Sequence, residues 1–301
     1  MIPNIHDASG RHPRLRLDLN LGTLLDLPAW SSAPTSSVAE IANHLPHTPY
    51  EGIQGRDTRS IRAAGLPATA MARLYEPTTI FDVAKTHRED GADATTLIVG
   101  TGLESDAEIA KLADAILEAS ERLSYPLFLE THRGTITQDI RRTVDLVGLF
   151  PDLRFNGDFS HWYTGHALSH ERFDEKLAFL APVFERTRFL HGRIGTSGSV
   201  QIAIGEQEQS EHVGHFKTFW TQSFIGFLRS AVPGDVIVFA PELLPSRLSF
   251  QGKWINVNYA RTFDVPGVGR REESDRWHQA LVLCRLAEAC FADALAATRS
   301  A

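Results

Sequence analysis

Short apolar runs alternate with amphipathic helical patterns along almost the whole chain. The apolar runs predict eight β-strands, near Leu15–Leu21, Gly52–Gln54, Ala72–Tyr75, Thr95–Gly100, Pro126–Glu130, Arg154–Asp158, Thr187–His191 and Val236–Ala240. A stretch with helical spacing of apolar residues follows each run, which is the pattern of repeated strand–helix units.

Two of the predicted helices also show a start signal. The helix at 105–123 begins with Ser105 and Glu108, which have the spacing of a capping box. Thr135 and Gln138 have the same spacing, so they predict the start of the next helix. Further helices are predicted near 57–64 and at 273–298.

Eight successive strand–helix units favour a parallel sheet, and the number eight favours a closed barrel. An open, doubly wound sheet is the alternative, and it would be expected to carry a glycine-rich phosphate loop after its first strand. The corresponding segment, LNLGTLLDLP, has no G-x-G-x-x-G pattern. We therefore predict a single-domain α/β protein with the (β/α)8 TIM barrel fold.

Four consecutive predicted strands end in ionisable residues. Glu130 lies in LETHRG, Asp158 in FNGDFSHW, His191 in FLHGRIG and Glu242 in FAPELLP. Each could be an ordinary residue, such as a solvated carboxylate or a turn cap, but strand ends of a barrel meet at one face. Three carboxylates brought together there would repel one another unless a cation lies among them. Oxygen ligands with one imidazole suit Mn, Mg, Co or Zn, and we expect manganese.

Composition narrows the class of protein. A hydrophobic content of 43% with 22% charged residues indicates a globular chain, and a net charge of −7 argues against a nucleic-acid partner. The N-terminal residues lack a secretory signal, and no apolar run is long enough to cross a membrane. Cys284 and Cys290 suggest buried thiols in a reducing compartment. We therefore expect a soluble, cytoplasmic protein.

The strand-end motifs also point to a family. LETHRG, GDFSHW, LHGRIG and PEL, in this order, resemble the xylose-isomerase-like barrel superfamily. That superfamily contains sugar-phosphate isomerases and epimerases, apurinic endonucleases and inosose dehydratases. The resemblance covers mainly residues 95–245, and it implies that 1–301 forms one barrel domain.

The resemblance implies a metal site and a pair of catalytic carboxylates. By analogy with the sugar epimerases, Glu130, Asp158, His191 and Glu242 would bind one divalent metal ion. Glu130 and Glu242 would also act as acid and base on opposite sides of the substrate. A DNA-repair role is disfavoured, because the early strand ends carry no histidine cluster and the chain is acidic.

The resemblance also suggests which residues bind the substrate. His161, in the D-x-x-H pattern, is similar to a histidine that binds a substrate oxygen beside the metal. Arg193, in H-x-R, would hold a hydroxyl, carboxylate or phosphate. His132 and Arg133 belong to an ETHRG variant and would grip substrate oxygens, and Trp162 is a candidate because it follows His161.

Several functions share these parts. Removal of a proton next to a metal-bound carbonyl leads to isomerisation or epimerisation of a keto-sugar or inositol derivative. The same start followed by elimination would make the protein a lyase, either a dehydratase or an enzyme that cleaves 3-oxo-glycosides. A non-catalytic sugar-binding or partner subunit is the third possibility. Many proteins with barrels of this kind form oligomers, so a homo-dimer or homo-tetramer is expected from the fold.

Two long loops complete the predictions. The segment 196–212 and the segment 246–267 both follow strands that carry predicted site residues. Long loops at this face commonly cover a site. In the second segment, Arg247 and Lys253 could bind an anion.

Overall fold

A closed barrel of eight parallel strands forms the centre of the molecule. The computed structural model describes residues 1–34, 37–250 and 252–299, so the predicted domain 1–301 is described apart from 35–36, 251 and 300–301. Each barrel strand pairs with its neighbours in sequence order, and the last closes on the first. The strands are β2 Arg14–Asn20, β3 Gly52–Gln54, β4 Ala68–Leu74, β5 Thr95–Val99, β6 Leu127–Glu130, β7 Phe155–Gly157, β8 Thr187–Gly192 and β9 Asp235–Pro241. The predicted fold is confirmed.

The strand bounds follow the apolar runs closely, with one clear difference. Strand β4 begins at Ala68, whereas the sequence pattern predicts a start at Ala72. Ala68 and Ala70 are fully buried, yet alanine is a poor β-former and gives little strand signal. A short additional strand, β1 (Ile5–His6), pairs antiparallel with β9.

Helices surround the barrel on the outside. They are α1 Val38–His44, α2 Thr58–Ala63, α3 Pro77–Glu89, α4 Asp106–Leu123, α5 Ile140–Leu149, α6 Ser160–Gly165, α7 Phe173–Phe179, α8 Ala181–Phe184, α9 Glu211–Leu228 and α10 Arg276–Arg299, with 3-10 turns at Leu21–Leu24 and Leu45–His47. The capping box of Ser105 and Glu108 is present at the start of α4. Helices α9 and α10 bury the aromatic pair Phe224 and Phe291, whose ring centres are 5.3 Å apart.

The predicted start of the next helix is wrong. Thr135 and Gln138 do not cap α5, which begins later, at Ile140. The N-cap is Asp139, whose carboxylate accepts a hydrogen bond from the backbone N–H of Arg142 at 2.8 Å. Aspartate is a strong N-cap residue, so its position next to the apolar face decides where the helix starts.

Two β-hairpins occupy much of the long segment between β9 and α10. The first pairs β10 (Arg247–Phe250) with β11 (Lys253–Asn256), and the second pairs β12 (Thr262–Val265) with β13 (Gly269–Glu272). Large apolar side chains such as Trp254 and Phe263 are exposed on them. No helix in the described part of the chain combines the length and the apolar character needed to span a bilayer.

Candidate metal centre

The four predicted metal ligands meet inside the C-terminal end of the barrel. Glu130 ends β6, Asp158 follows β7, His191 lies in β8 and Glu242 follows β9, and all four are buried. His191 Nδ1 lies 3.5 Å from Glu130 Oε2 and 3.8 Å from Glu242 Oε2. One ligand atom each from Glu130, Asp158 and His191 lies within 4.8 Å of the others. Glu242 lies outside this group of three, so its role as a fourth ligand stays a prediction.

Amide side chains from other strands orient this cluster. Asn156 Nδ2 donates a hydrogen bond to Glu130 Oε2 at 3.2 Å and lies 3.1 Å from His191 Nδ1. Gln54 Oε1 lies 2.9 Å from His191 Nε2 and accepts a second hydrogen bond, from Asn20 Nδ2, at 2.7 Å. Because this oxygen only accepts, Nε2 of His191 carries a proton. Burial lowers the pKa of His191, but the carboxylates of Glu242 and Glu130 outweigh burial and raise that pKa to about 9. Neither Asn156 nor Gln54 is predicted as a site residue from the sequence.

Arg193 contacts the predicted ligands themselves. Its guanidinium lies 3.3 Å from Asp158 Oδ2, forms an ion pair with Glu242 Oε2, and donates from Nε to the Glu242 carbonyl at 2.9 Å. The ring of Tyr259 lies 4.6 Å from the guanidinium carbon. Burial raises the pKa of Asp158, but the positive charge of Arg193 outweighs it and holds that pKa well below its usual range. Among the three guanidinium nitrogens of Arg193, Nη1 is the one that has no hydrogen-bond partner in the described part of the chain.

Two histidines line the side of the cluster nearest Asp158. His161 Nε2 lies 3.4 Å from Asp158 Oδ2, and neither ring nitrogen of His161 has a hydrogen-bond partner among the described residues. The ring of His132 packs against that of His161, with centres 3.9 Å apart. Burial lowers the pKa of His132 well below its usual value, and the neighbouring His161 lowers it further. Together with Glu130, these two imidazoles place one ligand atom each within 4.8 Å of one another.

The loop after β6 is held by threonines, and this explains the positions of Glu130 and His132. Thr137 Oγ1 donates to the Glu130 carbonyl at 2.6 Å, and Thr135 Oγ1 donates to the His132 carbonyl at 2.6 Å. The indole N–H of Trp162 in turn donates to the Thr137 carbonyl at 2.7 Å. Trp162 is fully buried, and this placement favours a packing role over the predicted substrate contact.

The remaining predicted substrate and anion residues lie at the barrel mouth and on the first hairpin. Arg133 is exposed, with its guanidinium carbon 5.3 Å from the centre of the Tyr259 ring. Arg247 lies over Trp254 and forms an ion pair with Asp26 at 3.7 Å. Lys253 is exposed on β11.

The donor set fits a divalent cation. Three carboxylates, from Glu130, Asp158 and Glu242, share one permanent positive charge, that of Arg193. Burial raises the pKa of Glu130, because a charged carboxylate is poorly solvated there. Asp158 Oδ2 lies 3.3 Å from the Arg193 guanidinium and 3.4 Å from His161 Nε2, but no described residue is aligned to donate a hydrogen bond to it, and buried polar atoms are normally satisfied. A hard or borderline cation would supply the missing partner with the ligand types that it prefers.

Comparison with known proteins supports the fold. No protein-family model and no curated protein sequence matches the chain. The structure is similar to a xylose isomerase-like TIM barrel protein from Mycobacterium smegmatis, solved in complex with magnesium, with a TM-score of 0.52 at 10% identity over 92% of this chain and 97% of that chain.

Two weaker similarities accompany this one. A D-tagatose 3-epimerase-like protein aligns with a TM-score of 0.47 at 12% identity, over 75% of this chain and 91% of that chain. The probable 3-DHS dehydratase AsbF from Bacillus anthracis aligns with a TM-score of 0.43 at 15% identity, over 60% and 74%. We draw no conclusion from either. The first similarity, together with the strand order, shows that the chain has the fold of a xylose isomerase-like TIM barrel protein.

Proposed function

We propose that the protein is a divalent-metal-dependent isomerase or epimerase of a keto-sugar or inositol derivative. One observation carries the proposal: Glu130, Asp158 and His191, from three successive strands, place one ligand atom each within 4.8 Å of the others. Glu242 joins them at the same end of the barrel, 3.8 Å from His191. Purely structural buried carboxylates would be expected to have complete hydrogen-bond partners, and Asp158 does not.

In this proposal Glu130, Asp158 and His191 hold the metal ion, with Glu242 as the fourth ligand. A bound divalent ion of this kind acts as a Lewis acid that polarises a carbonyl group and an adjacent hydroxyl group. Manganese is the ion that we favour, with magnesium, cobalt and zinc as alternatives, since oxygen and imidazole ligands suit all four.

The protein's own residues then move the proton. Glu130 Oε2 and Glu242 Oε2 lie 3.5 and 3.8 Å from Nδ1 of His191. One of these carboxylates takes the proton from the carbon next to the carbonyl, and the other, in its acid form, returns a proton. Arg193 orients Glu242 through its ion pair, and the unpartnered ring nitrogens of His161 bind a substrate oxygen.

The test combines metal analysis with proton exchange. Metal-loaded protein is incubated with a panel of keto-sugars and keto-inositols in D2O, and deuterium incorporation and products are followed by NMR. We expect exchange at the carbon next to the carbonyl, and a loss of about 10²- to 10⁴-fold in kcat for Glu130→Gln and for Glu242→Gln. Glu121→Gln, an exposed change on α4, is the control.

The outcomes separate the alternatives. A product that has lost water or an aglycone would identify a lyase with the same cluster. Wild-type protein that binds no divalent metal and exchanges no proton with any substrate of the panel would refute the proposal and favour a binding or partner subunit.

A further inference from the structure

A pocket of about 430 Å³ lies at the mouth of the barrel, and its lining includes three arginines, Arg133, Arg261 and Arg270. We call it the arginine pocket. We propose that it binds an anionic group, a phosphate or a carboxylate, at the end of the substrate that does not react. This assignment of a substrate class rests on the proposed function of the metal centre.

The arginine pocket is adjacent to the metal centre. Tyr259, which is almost fully buried, has its ring 4.6 Å from the guanidinium carbon of Arg193 and 5.3 Å from that of Arg133. One of these arginines contacts the predicted metal ligands, and the other lines the arginine pocket. Arg193 and Arg133 therefore contact the same aromatic ring, and a substrate that occupies both sites would pass beside that ring.

The charges around the arginine pocket are only partly balanced, since Glu273 pairs with Arg261 and Asp264 lies opposite Arg270 in the β12–β13 register. Its described lining residues include no aspartate or glutamate, although the chain as a whole carries a net charge of −7. Arg261 has one acidic neighbour, Glu273, at 3.5 Å. Arg133 and Arg270 form no ion pair with any described residue. Uncompensated positive charge on an acidic protein attracts an anion to this place.

The hydrogen-bond donors of the pocket suit an oxyanion. A guanidinium presents parallel N–H groups that match two oxygens of a phosphate or carboxylate. Arg270 uses Nε to hold Thr262, which leaves its terminal nitrogens for a ligand. Ser199 and Asn258 add a hydroxyl and an amide to the lining. The pocket volume is within the usual range for small-molecule sites, about 300–1,000 Å³.

The substrate that fits both sites is a keto-sugar with a charged end. Its carbonyl end would enter the barrel between Glu130 and Glu242, and its phosphate or carboxylate would lie between the arginines outside Tyr259. A neutral keto-sugar could reach the metal centre but would leave the three guanidinium groups without a ligand. The arginine pocket would therefore discriminate by charge.

The first measurement is the binding of inorganic phosphate, determined by calorimetry at low salt and at 0.3 M salt. We expect binding to wild type that weakens with salt, and a loss of about tenfold in affinity in Arg133→Gln and in Arg270→Gln. Arg271→Gln is the matched control, because Arg271 is exposed on the same strand, next to Arg270, but does not line the pocket. Absence of phosphate binding to wild type, or an equal loss in Arg271→Gln, would overturn the proposal.

The second measurement compares turnover of D-fructose, D-fructose 6-phosphate and the corresponding keto-uronate by metal-loaded protein. We expect at least about a tenfold advantage in kcat/KM for one of the charged sugars, and loss of that advantage in Arg270→Gln but not in Arg271→Gln. If D-fructose 6-phosphate has the higher kcat/KM, the pocket binds a phosphate. If the keto-uronate has it, the pocket binds a carboxylate.

Failure of this inference and failure of the proposed function give different results. Equal turnover of neutral and charged sugars, without phosphate binding, would refute the arginine pocket and leave the metal-dependent reaction intact. Phosphate binding that depends on Arg133 and Arg270, without turnover of any keto-sugar or keto-inositol, would support the pocket and refute the proposed reaction.

Discussion

The barrel interior contains two groups of buried charge, and their hydrogen bonding differs. The lower charge group consists of Arg16, Asp18 and Asp93, toward the N-terminal ends of the strands. Arg16 forms ion pairs with Asp18 and with Asp93, each at 2.8 Å. Arg16 also donates from Nη2 to Asp18 Oδ2 at 3.0 Å, and Thr69 Oγ1 donates to the same oxygen at 3.1 Å. No described side-chain atom of this group is buried without a partner.

The upper charge group consists of Glu130, Asp158, His191, Arg193 and Glu242, at the opposite end. All five side chains are buried, whereas Asp93 of the lower charge group is partly exposed. Asp158 Oδ2 and Arg193 Nη1 nevertheless have no hydrogen-bond partner among the described residues. Incomplete bonding of this kind costs free energy in the folded state. A barrel can tolerate that cost where the open positions are used by a ligand, and the C-terminal end is where barrel enzymes place their sites.

The largest expected effect is on the stability contributed by the lower charge group. Asp18→Ala leaves the buried Arg16 with only one of its two carboxylates, and removing one partner of a buried pair costs about 3–5 kcal/mol. The free energy of unfolding, measured by urea denaturation, should fall by that amount. In metal-free protein, Asp158→Ala should cost less, because Arg193 keeps its ion pair with the buried Glu242, whereas Arg16 keeps only the partly exposed Asp93. Equal losses for the two variants would remove the contrast between the groups.

Metal removal is expected to affect the upper charge group alone. A ligand that binds only the folded state at 100 times its Kd stabilises by about 2.7 kcal/mol. Wild type titrated with Mn²⁺ should therefore gain stability of that order, and chelation should reverse the gain. His191→Ala should show no such gain, while Asp18→Asn should keep it despite a lower starting stability. A gain of the same size in His191→Ala would place the ion elsewhere.

The contrast also shows which part of the site can be predicted from sequence. Glu130, Asp158, His191 and Glu242 end consecutive apolar runs, so strand order alone brings them together. The apolar runs also give correct bounds for β3 and nearly correct bounds for most other strands. Such features depend on periodicity, which is a local property of the chain.

Features that depend on three-dimensional neighbours were not predicted. Asn156 and Gln54 look like ordinary polar residues within strands, and only the closed barrel places them against His191. Tyr259 follows the first hairpin, and no local pattern relates it to Arg193. The misassigned cap at Thr135 has a different cause, since Asp139 competes for the same helix start and lies next to its apolar face.

Asn156 gives a smaller test of the upper charge group. Its amide donates to Glu130 and lies beside His191. Asn156 therefore orients two predicted metal ligands but is not itself a predicted ligand. Asn156→Ala should weaken metal binding by about 10- to 100-fold, as is typical when a group that orients metal ligands is lost. The measurement is Mn²⁺ affinity by calorimetry, with Asn4→Ala, near the opposite end of the barrel, as the control. An unchanged affinity would mean that the amide serves packing only.

The smallest expected effect on stability comes from an exposed ion pair. It tests whether burial determines the stability effect in the lower charge group. Arg59 contacts Asp90 at 2.6 Å, a shorter distance than that between Arg16 and Asp18, but the Arg59 side chain is 79% exposed. Water and salt screen such pairs, so Arg59→Ala should lower the free energy of unfolding far less than Asp18→Ala does. If urea denaturation showed a loss as large as that of Asp18→Ala, the distance between the charges, rather than their burial, would determine their contribution to stability. A small loss would instead indicate that the cost of Asp18→Ala comes from the desolvation of Arg16, which stays buried in that variant.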